Sequence, residues 1–201
     1  MSSVDDVVAA VRAGELVIIP TDTVYGLACT PYGKEPVRRL SELKRRSSDQ
    51  PIALVAASVD WLLECVPELR GKSTAVARAL LPGPFTLVLP NPARRFAWIA
   101  GSRPETIGVR VPDLVGPGAA VLDRVGIVAA TSANHHGGPD PRRLDDVPSE
   151  IRAGAVLLDG GDLPGTPSTV LDLTAPTPAV LREGAVSASD ALARVRVALA
   201  E

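Results

Sequence analysis

The sequence predicts a single α/β domain built on a mixed sheet. Strand-like and helix-like segments alternate from end to end, no long linker or internal repeat separates one part from another, and some strand connections are too short for helical crossovers. With 201 residues, 46% of them hydrophobic, the chain can bury a core without disulfides or metal. Aromatic residues make up only 3%, so Val, Leu, Ile and Ala have to build that core.

Ser2 or Ser3 can cap a first helix with Val4, Val7, Val8 and Val11 as its apolar stripe and Gly14 as its stop. Residues 16–19 form a short buried strand, ended by Pro20. Residues 34–46 have the helical spacing of Val37, Leu40 and Leu43, with cations gathered at the C-terminal end where the macrodipole favours them. A strand over 52–55 follows, then helices around 59–65 and 74–81, the second with Ser73 or Thr74 near its cap. Pro82-Gly83-Pro84 breaks the chain before a strand over 85–89. Further strands are predicted over 106–111, 126–130, 155–158, 169–173 and 179–182. A last helix over 188–200 follows Ser187 as its cap. The 19 prolines fall at element boundaries as turn punctuation.

A net charge of −2 argues against binding nucleic acid by bulk charge, while leaving room for a local basic patch. Cys29 and Cys65 have no CxxC spacing and no companion cluster, so no zinc site is expected, and two free thiols fit a reducing cytoplasm. The acidic start, Met1-Ser2-Ser3-Val4-Asp5-Asp6, does not read as a signal peptide. No apolar run approaches the roughly 20 residues of a membrane span, and a cytoplasmic protein without membrane contact is expected.

Gly71-Lys72-Ser73-Thr74 looks like the tail of a phosphate-binding loop, but the glycine that motif needs five residues earlier is Val66. No GxGxxG fingerprint is present either. His135 and His136, the two histidines, lack a GxSxG nucleophile and metal-ligand companions, and read as a polar loop.

Five other segments carry chemistry. Pro20-Thr21-Asp22-Thr23-Val24-Tyr25-Gly26-Leu27 puts hydroxyls at the end of a buried strand, where α/β proteins place ligands; a turn using its hydroxyls locally is the alternative. In Lys44-Arg45-Arg46-Ser47-Ser48-Asp49-Gln50-Pro51, at least one cation can turn inward toward an anion. Thr106-Ile107-Gly108-Val109-Arg110-Val111-Pro112 holds an Arg inside an apolar strand, which demands either an ion-pair partner or a ligand. Thr131-Ser132-Ala133-Asn134 follows a buried strand as a compact hydrogen-bonding platform. Pro167-Ser168-Thr169-Val170-Leu171-Asp172-Leu173 and Val180-Leu181-Arg182-Glu183-Gly184-Ala185 add a hydroxyl pair and another strand-terminal Arg.

In order and wording, these segments, with Pro82-Gly83-Pro84-Phe85-Thr86-Leu87-Val88-Leu89, resemble the YrdC-like family from Gly14 to about Val186. The resemblance implies one domain over 1–201, with its motifs within about 14–186: a twisted mixed sheet, flanking helices and a concave basic cavity. It implies an L-threonylcarbamoyladenylate synthase, a nucleotidyltransferase that makes threonylcarbamoyl-AMP and pyrophosphate from ATP, L-threonine and bicarbonate. Other proteins would then transfer the threonylcarbamoyl group to tRNA. By the same resemblance Thr23, Arg110, Ser132 and Ser168 would hold threonine, and Lys44, Arg46, Thr106, Asn134 and Arg182 would contact ATP. Lys44, Arg46 and Arg110 would be the catalytic cations, and Asp22 would be structural. Mg²⁺ would ride on the ATP phosphates, with no protein-borne metal site. Departures from the family wording are Ser47 for a common Pro, Val55 for a common His, and His136 for a hydroxyl. The extra C-terminal domain of longer members is not expected. A non-catalytic protein that binds RNA or nucleotide in the basic cavity is the competing reading, and direct contact with tRNA stays open under either.

Overall fold

The computed structural model describes residues 2–200. Helix α1 (Val4–Arg12) starts at a reciprocal cap: the Ser3 hydroxyl accepts from the Asp6 amide, and the Asp6 carboxylate accepts from the Ser3 amide. Strand β1 (Val17–Pro20) keeps Pro20 as its last paired residue, opposite Tyr25, so the proline belongs to the strand and does not stand outside it. Strand β2 (Tyr25–Cys29) was not expected from the sequence and completes a hairpin around Thr21 to Val24.

Helix α2 (Lys34–Leu43) stops three residues before the predicted end at 46. Lys44 is its C-cap, and Arg45 takes a left-handed φ of 55°, which turns the chain so that Lys44 and Arg46 leave the helix in new directions. Strand β3 (Ala53–Ala56) leads to α3 (Val59–Cys65), capped by the Ser58 hydroxyl. Helix α4 (Lys72–Leu80) begins two residues earlier than predicted, with Gly71 as N-cap in place of Ser73 or Thr74. Strands β4 (Phe85–Pro90) and β5 (Thr106–Arg110) follow, then α5 (Pro117–Val125), a helix that the sequence reading missed. Strand β6 (Ile127–Ser132) runs two residues past its predicted end and so includes Thr131 and Ser132. A short α6 (Ser149–Ala153), also missed, precedes β7 (Val156–Leu157), β8 (Thr169–Asp172), β9 (Ala179–Arg182) and α7 (Ala188–Ala200).

The nine strands of the described residues join one sheet in the order β7-β1-β2-β6-β3-β5-β4-β8-β9, with parallel and antiparallel pairs mixed. Because strand side chains alternate, each strand divides its residues between two faces. One face sends Ile18, Leu27, Leu54, Leu87, Ile107, Val109 and Leu171 against α2, α3, α4 and α7 in a continuous core. The other sends Val17, Ile19, Ala28, Val55, Val128 and Ala130 against α1 and α5. Each buried Val, Leu or Ile contributes about 1.5–3 kcal/mol, so both layers are held mainly by aliphatic burial. The second layer covers only the β7-β1-β2-β6 half of its face. From β3 onward that face is open, and the cavity lies there. Among the described residues, no helix is long and apolar enough to cross a membrane.

Candidate active site

The open half of the sheet forms the floor of a cavity of about 310 Å³. Its floor comes from alternate residues of the central strands: Ala53 and Val55 of β3, Thr106, Gly108 and Arg110 of β5, Thr86 and Val88 of β4, and Val170 of β8. Small residues at Gly26, Ala53 and Gly108 leave the depth. The roof is made by two loops in backbone contact, since a Cβ at Gly101 (φ 63°) would sit 2.2 Å from the Asp49 carbonyl oxygen. Three arginines, Arg103, Arg110 and Arg182, line the cavity, with no Asp or Glu among the lining residues.

Arg110 satisfies its sequence-stated demand for a partner through the β1–β2 turn. Its Nη2 donates to the Asp22 carboxylate and, at 2.7 Å, to the Thr23 hydroxyl. Asp22 in turn accepts from the Asp113 amide at 3.2 Å. The turn itself is organised by Thr21, whose hydroxyl accepts from the Thr23 and Val24 amides and donates to the Val24 carbonyl at 2.7 Å. Burial pushes the Arg110 guanidinium below its ordinary value and Asp22 partly restores it. The Arg110 Nε is buried without a hydrogen-bond partner among the described residues.

Lys44 is anchored to the loop after β6. Its ammonium is buried and donates to the carbonyl oxygen of Ser132, to the carbonyl of Asn134 at 2.9 Å and to Asn134 Oδ1 at 2.7 Å. Burial, with Arg46 close by, pulls it down to about 8. Asn134 is equally committed: Oδ1 also accepts from Ser132 Oγ at 2.6 Å, and Nδ2 donates to the Gly138 carbonyl at 2.6 Å. Neither residue is among those that line the cavity, and both shape the loop after β6. Thr23 is likewise buried behind Arg110 and does not line the cavity. Lys44 reaches Ser132 and Asn134 across 88 and 90 residues and Thr23 meets Arg110 across 87, contacts that spacing along the chain does not reveal.

Thr106, Arg110, Ser132, Ser168 and Arg182 meet in the lining. Arg182 Nη2 donates to the Ser168 carbonyl at 2.9 Å and its hydroxyl at 3.3 Å. Ser168 Oγ lies 2.9 Å from Thr86 Oγ1. Arg46 lies beside the wall, donating to Thr131 Oγ1 at 3.2 Å and the Pro51 carbonyl at 2.8 Å, with its own Nε buried and unpartnered. Three polar lining residues, Thr86, Ser102 and Arg103, were not singled out from the sequence. Thr86 shares a strand face with Val88 and could have been found by the period-2 pattern of β4. Arg103, at the mouth and paired to Asp172 at 3.2 Å, sits in a loop without a pattern.

Fold and cavity define a mixed α/β protein with an arginine- and hydroxyl-lined cavity on the uncovered half of its sheet. The chain belongs to the Sua5/YciO/YrdC family, whose model, described as telomere recombination, matches residues 9–184. It is 35% identical over 182 residues to a putative threonylcarbamoyl-AMP synthase of Mycobacterium tuberculosis, covering 90% of this chain and 83% of the relative. It superposes on the crystal structure of Pyrococcus abyssi Sua5 complexed with L-threonine with a TM-score of 0.81 and 33% identity, covering 90% of this chain and 54% of that longer one. The structure of Escherichia coli YciO matches at a TM-score of 0.77 and 25% identity, over 90% and 89% of the two chains.

Proposed function

We infer that this chain is an L-threonylcarbamoyladenylate synthase, which joins ATP, L-threonine and bicarbonate into threonylcarbamoyl-AMP and pyrophosphate for tRNA modification. The observation that carries the reading is the buried, unpartnered Arg110 Nε beside a cavity lined by arginines and hydroxyls and free of carboxylates. Adenylation by a carbamate carboxylate needs no protein nucleophile. It needs two anions brought together, their repulsion screened and the attacking oxygen held in line with the α-phosphorus.

In this reading Arg110 takes the amino-acid carboxylate, with Ser132 and Ser168 as neutral partners. Arg182 and Arg46 take phosphate oxygens, with Thr106 nearby on the floor. Lys44 and Asn134 keep the 132–138 loop in shape, and Thr23 orients Arg110; these are positioning residues. Mg²⁺ would arrive on the ATP phosphates, a hard cation suited to oxygen ligands. That ion would supply further charge neutralisation. Val55 on the floor makes the surface beneath the amino acid apolar. The product passes to threonylcarbamoyl-transferring proteins, in a cytoplasm that keeps Cys29 and Cys65 as the free thiols they are. A carboxylate-free lining would also accept RNA phosphate, but the hydroxyl-rich floor and the synthase relatives favour the enzyme over a passive RNA binder.

The test is mass-spectrometric detection of threonylcarbamoyl-AMP from ATP, threonine and bicarbonate. Product and pyrophosphate should appear only when all three are present. Pyrophosphate release that ignores threonine and bicarbonate would refute the assignment.

A further inference from the structure

Two hydroxyls stand side by side at the start of β8, and an extended chain sends neighbouring side chains to opposite faces. Ser168 lines the cavity and accepts from Arg182, whereas Thr169 is fully buried and does not line it. Arg182 ends β9, the edge strand of the sheet. Its pairing with β8 slips: Val170 faces Arg182 while Leu171 faces Val180, so Leu181 is an extra residue. That bulge lets the consecutive Leu181 and Arg182 both line the cavity, which unbroken alternation along a strand does not allow. Both residues are exposed, so packing does not fix them. The Arg182 guanidinium itself is held, among the described residues, only by the carbonyl and hydroxyl of Ser168.

Past Arg182 the strand ladder stops, and the Thr169 side chain takes over. Its hydroxyl accepts from the Gly184 and Val186 amides, each at 3.1 Å, and donates to the Val186 carbonyl at 2.6 Å. Those bonds use its one hydrogen and both lone pairs. The amide between them, that of Ala185, donates to the Pro167 carbonyl at 2.9 Å. Gly184 permits this close approach, because a Cβ there would come within 2.2 Å of the Pro167 carbonyl oxygen. We propose that Thr169 is a positioning residue for Arg182: it clips the chain just beyond the bulge and so holds the guanidinium over Ser168 and the cavity. Without the clip the end of β9 is free to swing about Leu181. With it, that freedom is removed before a ligand arrives, and binding does not have to order the arginine.

That Arg182 meets a polyphosphate rests on the function proposed above; its placement by Thr169 does not, and the two are read separately. Thr169→Val keeps the side-chain shape and removes the three hydrogen bonds. In two-dimensional NMR of the full chain, the Arg182 Nε–H signal is assigned by its loss in Arg182→Ala. In Thr169→Val it should move to the position of solvated arginines and lose its heteronuclear Overhauser enhancement. Thr169→Ser, which keeps the hydroxyl, should restore both. By titration calorimetry, inorganic tripolyphosphate should bind Thr169→Val about tenfold more weakly, the loss of one charge-assisted contact, and Thr169→Ser within about twofold of the wild type. Thr169→Val/Arg182→Ala should bind no more weakly than Arg182→Ala, because Thr169 acts through Arg182; a merely structural Thr169 gives additive losses. Gly184→Ala displaces the same segment from the other side, should show the same coupling to Arg182, and serves where Thr169→Val does not fold. An Arg182 signal that stays at its wild-type position in the folded variants, or additive losses of tripolyphosphate affinity, would overturn the positioning role. A wild type that binds neither tripolyphosphate nor ATP would remove the proposed ligand of Arg182, and the NMR signal then decides the placement alone.

Discussion

Gly108 lies at the centre of β5 on the cavity side, paired with Val88 of β4. A Cβ there would meet only the Ala53 Cα at 3.9 Å and Thr86 Cγ2 at 4.0 Å, ordinary van der Waals contacts with nothing to displace. Gly108→Val therefore places its added carbons in the cavity and nowhere else. A glycine inside a strand costs about 0.5–1 kcal/mol, and valine suits a pleated surface, so the variant should be as stable as the wild type or more stable by about that amount. For a domain of this size, that is a rise in Tm of up to about 4 °C. A ligand lying on the floor has to be pushed off it, and overpacking of about 1–3 kcal/mol corresponds to a loss of about 5- to 150-fold in kcat/KM. Thermal unfolding by circular dichroism and pyrophosphate release under threonine dependence read the two effects separately. A Gly108→Val protein that melts at the wild-type temperature and turns over within twofold of it would show that the ligands do not use this floor.

Arg110→Met leaves Asp22 buried without its counter-charge and should cost about 3–5 kcal/mol in urea unfolding, while Asp22→Asn/Arg110→Met should regain at least half of that and none of the activity. A double variant as unstable as the single one would mean the ion pair is not what the turn depends on. Lys44, pulled from 10.5 to about 8, gives a pH signature. Between those values the unfolded chain keeps a proton that the folded protein has released, so stability rises with pH by up to about 1.4 kcal/mol per unit. Lys44→Met should lose that rise, and also about 3 kcal/mol at pH 7 through the stranded Ser132 and Asn134 oxygens; identical slopes for both proteins from pH 8 to 10 would refute the assignment. Gly101→Ala drives a methyl into the Asp49 carbonyl and should separate the two roof loops, weakening ATP and threonine binding together; unchanged affinities by calorimetry would show the roof to be dispensable.

Much of this was legible because aliphatic spacing and caps are local. The Ser3 cap, the Val4-Val7-Val8-Val11 stripe and the apolar β1, β3, β4 and β5 runs fold as their own patterns state. Strand β2 was hidden because Tyr25-Gly26-Leu27-Ala28-Cys29 is buried on both faces and has weak strand formers at alternate positions, which erases the period of two. Helix α5 was hidden because Gly116-Pro117-Gly118 reads as a break. Pro at a first helical turn is in fact favourable, and Gly118 is required where a Cβ would come within 2.3 Å of the Pro20 carbonyl oxygen.

By itself the sequence determined that Arg110, a cation in an apolar strand, had to meet an anion, and that hydroxyls cluster at strand ends. Only the tertiary structure decided which partner each group takes. Asp22 reaches Arg110 across 88 residues, and Lys44 turns to Ser132 and Asn134 across 88 and 90, because sheet order brings β2, β6, β3 and β5 side by side. It also decided where the cavity opens: α1 and α5 cover one half of a face, and the uncovered half, floored by Ala53 and Gly108, is the part left for ligands.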